Sequence, residues 1–280
     1  MTRSADLHLH TRHSDGTFTA MEVVARAKAA ELACISLTDH DTTAGVAEMT
    51  RLCADAQVEF IPGVELTAHR DEREIHILGY LVQHEAPEFV RQIERFKQAR
   101  AERIIEMISR LRKVGVELQE ADLAAVADNG TALGRLHIAR AMLNRGFIQH
   151  LDEAFHRYIG RGKPAFVPKM RVGVAEATSL IHRFGGVAIL AHPGISSVDG
   201  QLDHLFADGL DGIEVWHSRH SPHQCEKYLA WASARGCLIT GGSDCHGMAK
   251  GEVLIGGIRL DYNHVERLKE FHDRLVSKVS

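Results

Sequence analysis

Cysteine is scarce in this chain and never occurs as a C-x-x-C pair. Cys34, Cys53, Cys225, Cys237 and Cys245 are scattered and odd in number, which excludes a disulfide framework and a thiolate zinc site and fits a reducing compartment. No apolar run reaches ~18 residues, and no signal-type apolar segment precedes the first strand pattern in "MTRSADLHLH". A cytoplasmic, non-membrane protein is expected. Positive charge is not in excess: 33 Lys and Arg stand against 37 Asp and Glu, for a net charge of −4. That removes a global basic field for long duplex nucleic acid and leaves open a local groove for a short one. Internal repeats and low-complexity linkers are missing too. At 280 residues, 45% hydrophobic and 25% charged, the composition is that of an ordinary globular protein, either one large domain or a domain with an insertion.

Histidine, by contrast, is abundant at 19 residues, enough for some close spacings to arise by chance. Their placement argues otherwise. His8-x-His10 opens the chain and Asp244-x-His246 closes its last strand-like segment. Side chains on a strand repeat every two residues, so each pair presents both groups on one face. Asp15, His40, Glu65, His76 and His192 lie at or near the ends of apolar runs between them. Imidazole and carboxylate donors without thiolate suit Mn, Fe or Zn, whereas carboxylates alone would suggest Mg or Ca. One metal cannot use nine donors; three metals with shared carboxylate bridges can, and Glu65 is the best bridging candidate. Ions about 3.5–4 Å apart favour phosphoester hydrolysis, because they clamp charged oxygens and generate hydroxide near neutral pH.

The first and last thirds alternate strand and helix signals. Strands are expected at "DLHLH", "CISLTDH", "EFIPGVELTA", "EIHILGYLV", "GVAILAH", "GIEVWH" and "CLITGGSD". Helices are expected from the Thr19–Glu22 capping-box pattern to about residue 32, over about 43–56, near 174–184 and 222–235, and at the C-terminus. Such alternation predicts parallel strands with crossover helices, with His40, Glu65, His192 and Asp244 at strand C-terminal ends, where a β/α barrel gathers its active site. The middle differs. From about Pro87 to Gly115, and again over about 119–127, 134–145 and 151–159, the pattern is helical without a strand. The expected organisation is a barrel over 1–86 and 165–280, with a helical insertion over 87–164 capping the site.

"HLHTRHSDG", "TDHD", "GVE", "IHILGY", "AHPG" and "GSDCH" together resemble the polymerase-and-histidinol-phosphatase (PHP) family over most of the chain outside the insertion. The resemblance implies an α/β fold, a distorted (β/α)7 barrel, acting on phosphate esters through a trinuclear metal centre. It implies Mn2+ first, with Fe2+ or Zn2+ as alternatives. Carried onto this chain, the ligand positions are His8, His10, Asp15, His40, Glu65, His76, His192, Asp244 and His246. By resemblance His8, His10, Glu65 and Asp244 surround one metal, Asp15, His40 and His246 a second, and Glu65, His76 and His192 the third. Asp15, His40 and His246 are thereby catalytic candidates. "GRLHIARAML" and "YIGRGKPAFVP" further resemble the subgroup that handles nucleotides and RNA ends. The implied activity is removal of the 3′-phosphate from a 3′,5′-bisphosphonucleotide, such as adenosine 3′,5′-bisphosphate, by a metal-generated hydroxide. The alternatives are 5′-to-3′ exonucleolytic cleavage of short RNA and histidinol-phosphate hydrolysis. A non-enzymatic module would have lost ligand positions, and none is lost.

A doubly phosphorylated nucleotide needs cations for the phosphate that the metals do not hold. Arg135 opens a predicted helix, whose free N–H groups also favour anions. Arg161 and Lys163 lie in a Gly-flanked loop; Lys169 and Arg171 read as solvated. His217 follows a strand and is placed either to protonate the leaving alkoxide or bind phosphate, or as an ordinary half-exposed histidine before a helix. Asp39 and Asp41 are expected to orient the His40 ring rather than bind metal. Cys245, between two ligands, points to the opposite face. Trp216 and Trp231 fit core packing better than base stacking.

Overall fold

Strand β1 (Ser4–Leu9) is buried at all six positions and starts the sheet. Helix α1 (Ala20–Ala29) begins at the capping box that its sequence announces: the Thr19 side chain accepts from the Glu22 N–H, and the Glu22 carboxylate accepts from the Thr19 N–H. There follow β2 (Cys34–Leu37), α2 (Val46–Ala56), β3 (Glu59–Arg70) and β4 (Arg73–Tyr80). Next come α3 (Pro87–Lys113), α4 (Glu120–Ala124), α5 (Arg135–Asn144), α6 (Leu151–Ala154) and α7 (Val174–Arg183). The chain then alternates through β5 (Val187–Leu190), α8 (Pro193–Ser196), α9 (Leu202–Ala207), β6 (Gly212–His217), α10 (Pro222–Arg235), β7 (Leu238–Gly242), β8 (Leu260–Asp261) and α11 (Tyr262–Val279). This computed structural model describes residues 3–71, 73–126, 135–168, 172–248 and 253–279. Among them no helix is long and apolar enough to cross a membrane.

The chain divides into two compact units, Met1–Ile93 with Arg171–Ser280, and Glu94–Met170. The first holds an eight-stranded sheet in the order β7-β6-β5-β4-β3-β2-β1-β8. Its edges meet where the Asp244 N–H donates to the His8 carbonyl at 2.9 Å and the His10 N–H to the Cys245 carbonyl at 3.1 Å, nearly closing a barrel. Closure requires Gly242, since a Cβ there would stand 2.3 Å from the Cβ of His8. The β1–β2, β2–β3, β5–β6 and β6–β7 pairs are parallel, as alternation predicts. β4, however, runs antiparallel to both β3 and β5. The reason is chain length: β3 ends at Arg70 and β4 begins at Arg73, too few residues for a crossover helix, so the chain must reverse as a hairpin.

Among the described residues, apolar clusters flank the sheet. Leu9, Phe18, Val23, Ile35, Leu37, Met49 and Cys245 pack under α1 and α2; Leu7, Ile61, Leu78, Ile189, Val265 and Leu268 pack where α11 lies. The second unit has its own core of Ile104, Met107, Leu111, Leu123, Ile138 and Met142.

Candidate metal centre

Alternation along β1 sends Asp6, His8 and, one residue past the strand, His10 to the barrel interior, all three fully buried. The loop that follows carries Asp15 and is tied down by Asp39. The Asp39 carboxylate accepts from the Thr11 N–H at 2.7 Å, the Thr11 hydroxyl at 2.6 Å and the Ser14 hydroxyl at 2.6 Å. Asp41 likewise accepts from the N–H and hydroxyl of Thr67, joining the end of β2 to β3. These bonds brace backbone, a different task from the expected orientation of the His40 ring. Ring acceptors come from elsewhere: Glu214 faces Nδ1 of His8 at 2.9 Å, and Glu74 faces Nε2 of His76 at 3.2 Å.

Glu65 is the hub. It lies within β3 rather than at its end, because β3 runs on past it to pair with β4. Its Oε2 stands 3.2 Å from Nε2 of His8, 3.2 Å from Nε2 of His10 and 3.3 Å from Nδ1 of His40. Its Oε1 stands 2.8 Å from Nδ1 of His76 and 3.1 Å from Nε2 of His192. Asp244 Oδ1 lies 3.2 Å from Nε2 of His10 and 3.3 Å from Nδ1 of His246, and Asp15 Oδ1 lies 3.1 Å from Nε2 of His246. All nine side chains singled out in the sequence thus meet in one cluster.

Their donor atoms form three groups, each within 4.8 Å: His8, His10, Glu65 and Asp244; His10, Asp15, His40 and His246; and His40, Glu65 and His76. The first is the set that the resemblance implies for one metal. The third closes on His40, while His192 contacts it through Glu65.

The donor chemistry fits divalent cations. Among the described residues, both ring nitrogens of His10 and Nδ1 of His40 and of His192 are buried without a hydrogen-bond partner, although carboxylates crowd Nε2 of His10 and Nδ1 of His40. Burial alone would raise the pKa of Glu65, yet the rings of His40, His8 and His76 hold it well below the carboxylate range. Burial opposes protonation of His10 and His76, but Asp244 and Glu65 carry His10 up to about 9, and Glu65 with Glu74 carries His76 up to about 10. His40 goes the other way, down to about 3, through burial and the neighbouring His10 and His76. The pocket therefore calls for positive charge and cannot place it on every ring by protonation, which is the condition a cation satisfies.

His217 ends β6 and is buried, against the half-exposed alternative. Its Nδ1 accepts the Arg219 N–H at 3.0 Å, so the neutral ring carries its proton on Nε2, 3.4 Å from Oδ2 of Asp244. Cys245 packs in the core with Leu9, on the face opposite its neighbours. Trp216 packs against the core beside α11, and Trp231 meets Phe206 at 4.5 Å.

The cationic candidates belong to the second unit. Arg135 is the first residue of α5, half-buried, with its guanidinium 5.8 Å from the Phe155 ring centre. Arg161 and Lys163 are exposed and follow a π-helical turn at Phe155–Ile159. That turn needs Gly160, where a Cβ would lie 2.2 Å from the Phe155 carbonyl oxygen. Lys169 and Arg171 lie outside the described residues. Sequence reasoning missed Asp6, Glu74 and Glu214. For Asp6 and Glu214 the available signal was an acid inside a short apolar strand, as in "GIEVWH", since unpaired carboxylates are rarely fully buried; Glu74 is exposed and carried no such signal.

The model of the PHP domain matches residues 6–159 of this chain. A 3′,5′-nucleoside bisphosphate phosphatase of Chromobacterium violaceum is 32% identical over 263 residues, covering 90% of each chain. A 5′-3′ exoribonuclease of Haemophilus influenzae is 33% identical over 251 residues, covering 88% of this chain and 91% of that one. A solved structure from Bifidobacterium adolescentis, assigned as a metal-dependent phosphoesterase, superposes with a TM-score of 0.73 at 30% identity and 95% coverage of each chain.

Proposed function

The chain belongs to the PHP family of metal-dependent phosphoesterases, hydrolases of phosphate esters, and on that footing we propose that it removes the 3′-phosphate from 3′,5′-bisphosphonucleotides such as adenosine 3′,5′-bisphosphate. The observation that carries the reading is the convergence of His8, His10, Asp15, His40, Glu65, His76, His192, Asp244 and His246 around one bridging carboxylate. We assign these nine as ligands of three ions, Mn2+ first and Fe2+ or Zn2+ next, since nitrogen and carboxylate donors mix without thiolate. Divalent cations held there supply Lewis-acid polarisation of the phosphoryl oxygens and lower the pKa of the attacking water.

The chain's own residues do the remaining work. Asp15, His40 and His246 stand together on the side of the cluster where Asp15 is partly exposed and able to meet a phosphate. His217 holds a proton on Nε2, and that N–H is the candidate hydrogen-bond donor to the substrate phosphate rather than the acid that protonates the departing sugar oxygen, since Nδ1 is already an acceptor. Arg135, Arg161 and Lys163 are assigned to the nucleotide's other phosphate, which would favour bisphosphates over simple monoesters. The five cysteines, all free, suit a cytoplasmic enzyme.

A second reading, 5′-to-3′ exonucleolytic hydrolysis of short RNA, is supported by the equal likeness of the exoribonuclease relatives. Release of inorganic phosphate from adenosine 3′,5′-bisphosphate and from histidinol phosphate, and of mononucleotides from a 5′-phosphorylated short RNA, each with Mn2+, separates the readings. The bisphosphate is the expected substrate. Nucleotide release from the RNA with no phosphate released from the bisphosphate would replace the first reading by the second.

A further inference from the structure

Glu214 belongs to none of the three donor groups, yet it is fully buried beside them. Strand alternation would not place it and His217 on one face, because they are three positions apart. A register shift between Glu214 and Trp216 resets the phase, so both turn inward while Ile213 and Val215 remain in the apolar core.

The two oxygens of Glu214 do different things. Oε1 lies 2.9 Å from Nδ1 of His8. A carboxylate there holds a proton on Nδ1, so that Nε2, which faces Oε2 of Glu65 at 3.2 Å and Oδ1 of Asp244 at 3.6 Å, is the nitrogen that would meet a metal. Oε2 accepts the backbone N–H of His192 at 2.9 Å. That backbone is strained: His192 has φ 26° and ψ 60°, a left-handed conformation in a residue with a Cβ. Pro193 follows it, and the residue before a proline prefers an extended backbone, which His192 does not adopt. Such a conformation persists only where the surroundings hold it. In this conformation Nε2 of His192 reaches Oε1 of Glu65 at 3.1 Å.

We propose that Glu214 is a positioning residue of the metal centre, one carboxylate that sets the tautomer of His8 and holds the strained backbone of His192. The inference rests on the reading of the cluster as a metal centre.

The test is Mn2+ binding by Glu214→Gln and Glu214→Asp, read as metal content after dialysis, dissociation constant, and the rise in melting temperature on saturation. Glutamine has one acceptor oxygen and turns an amide N–H against the other donor. Aspartate keeps the charge but is one methylene too short to reach both partners. Both variants should bind Mn2+ about 10- to 100-fold more weakly, with a smaller metal-induced melting shift. Wild-type affinity in both would overturn the inference. So would wild-type affinity in the aspartate variant alone, since charge and not reach would then be what matters. A further measurement depends on neither variant folding. Ring 15N spectra of the Zn2+-loaded wild-type protein should show His8, assigned by its loss in His8→Gln, as a ring protonated at Nδ1 alone; a ring protonated at Nε2 alone would also overturn it. Failure of the wild-type protein to bind any of Mn2+, Fe2+ and Zn2+ would instead overturn the metal-centre reading itself.

Discussion

Arg135 separates recognition from chemistry at the scale of one residue. If it grips the second phosphate, Arg135→Ala should lower kcat/KM for the bisphosphate about 10- to 100-fold, because a charge-assisted hydrogen bond is worth about 1.5–3 kcal/mol. Hydrolysis of a small aryl phosphate should change little, and lysine should recover only part of the loss for want of the planar fork. Equal losses on both substrates would move Arg135 to the scissile phosphate or to the fold. The imidazoles give a second prediction, concerning the metal-stripped protein. His10 and His76 have pKa values raised to about 9 and about 10 in the folded state. Unfolded histidine titrates near 6.5, so above about pH 6.5 the folded state holds protons that the unfolded state has released. The stabilisation these groups contribute is therefore complete below about pH 6.5 and lost as pH rises towards about 9–10. Melting of chelator-treated protein should fall across that window, and saturating Mn2+ should raise it most at the alkaline end, where no protons compete for the rings. A flat profile without metal would contradict the pairing of these rings with Glu65.

At the scale of elements, the joint between β1 and the end of β7 carries a strain-sensitive contact. Gly242→Ala pushes a methyl group against His8, the Cβ–Cβ separation being 2.3 Å. Overpacking of this kind costs about 1–3 kcal/mol, and more where backbone cannot yield. The expected outcome is a lower melting temperature together with a lower metal content, since His8 is the residue displaced; a normal metal content would show that the barrel edge relaxes around the methyl group. Much at this scale was legible beforehand. The Thr19–Glu22 box marks the start of α1, and the helix expected near 222–235 is α10. Strand direction was not legible. Periodicity says that a segment is extended, not which way its neighbour runs, and β4 reverses only because its link to β3 is so short. The phase of β6 was hidden for a related reason: a bulge breaks the two-residue alternation, so Glu214 could not be assigned to the inner face by counting.

On the scale of the whole molecule, the second unit should behave as a body with its own core. The helical block reads as 87–164 in sequence, while the compact unit spans Glu94–Met170, because α3 is one continuous helix from Pro87 and Phe89 in its first turn packs on Phe184 at 5.2 Å. Met142 is fully buried in the core of the second unit, and Met142→Ala should cost about 2–5 kcal/mol. Hydrogen exchange should rise within 94–170, while bound metal, held by residues of the first unit alone, stays at the wild-type level. Loss of metal in that variant would show that the two units are coupled. Sequence by itself determined the family and singled out nine imidazole and carboxylate side chains that the fold brings together, because residue type and two-residue spacing are local properties written directly in the chain. The tertiary structure alone decided that Glu65 is the shared hub, that Asp39 and Asp41 brace backbone, that His217 is buried beside Asp244, and that Glu214 stands behind His8 and His192. Each of these depends on which strands become neighbours and on where the sheet bulges and closes, and such pairings join residues as far apart as His8 and Asp244 by packing that no local spacing records.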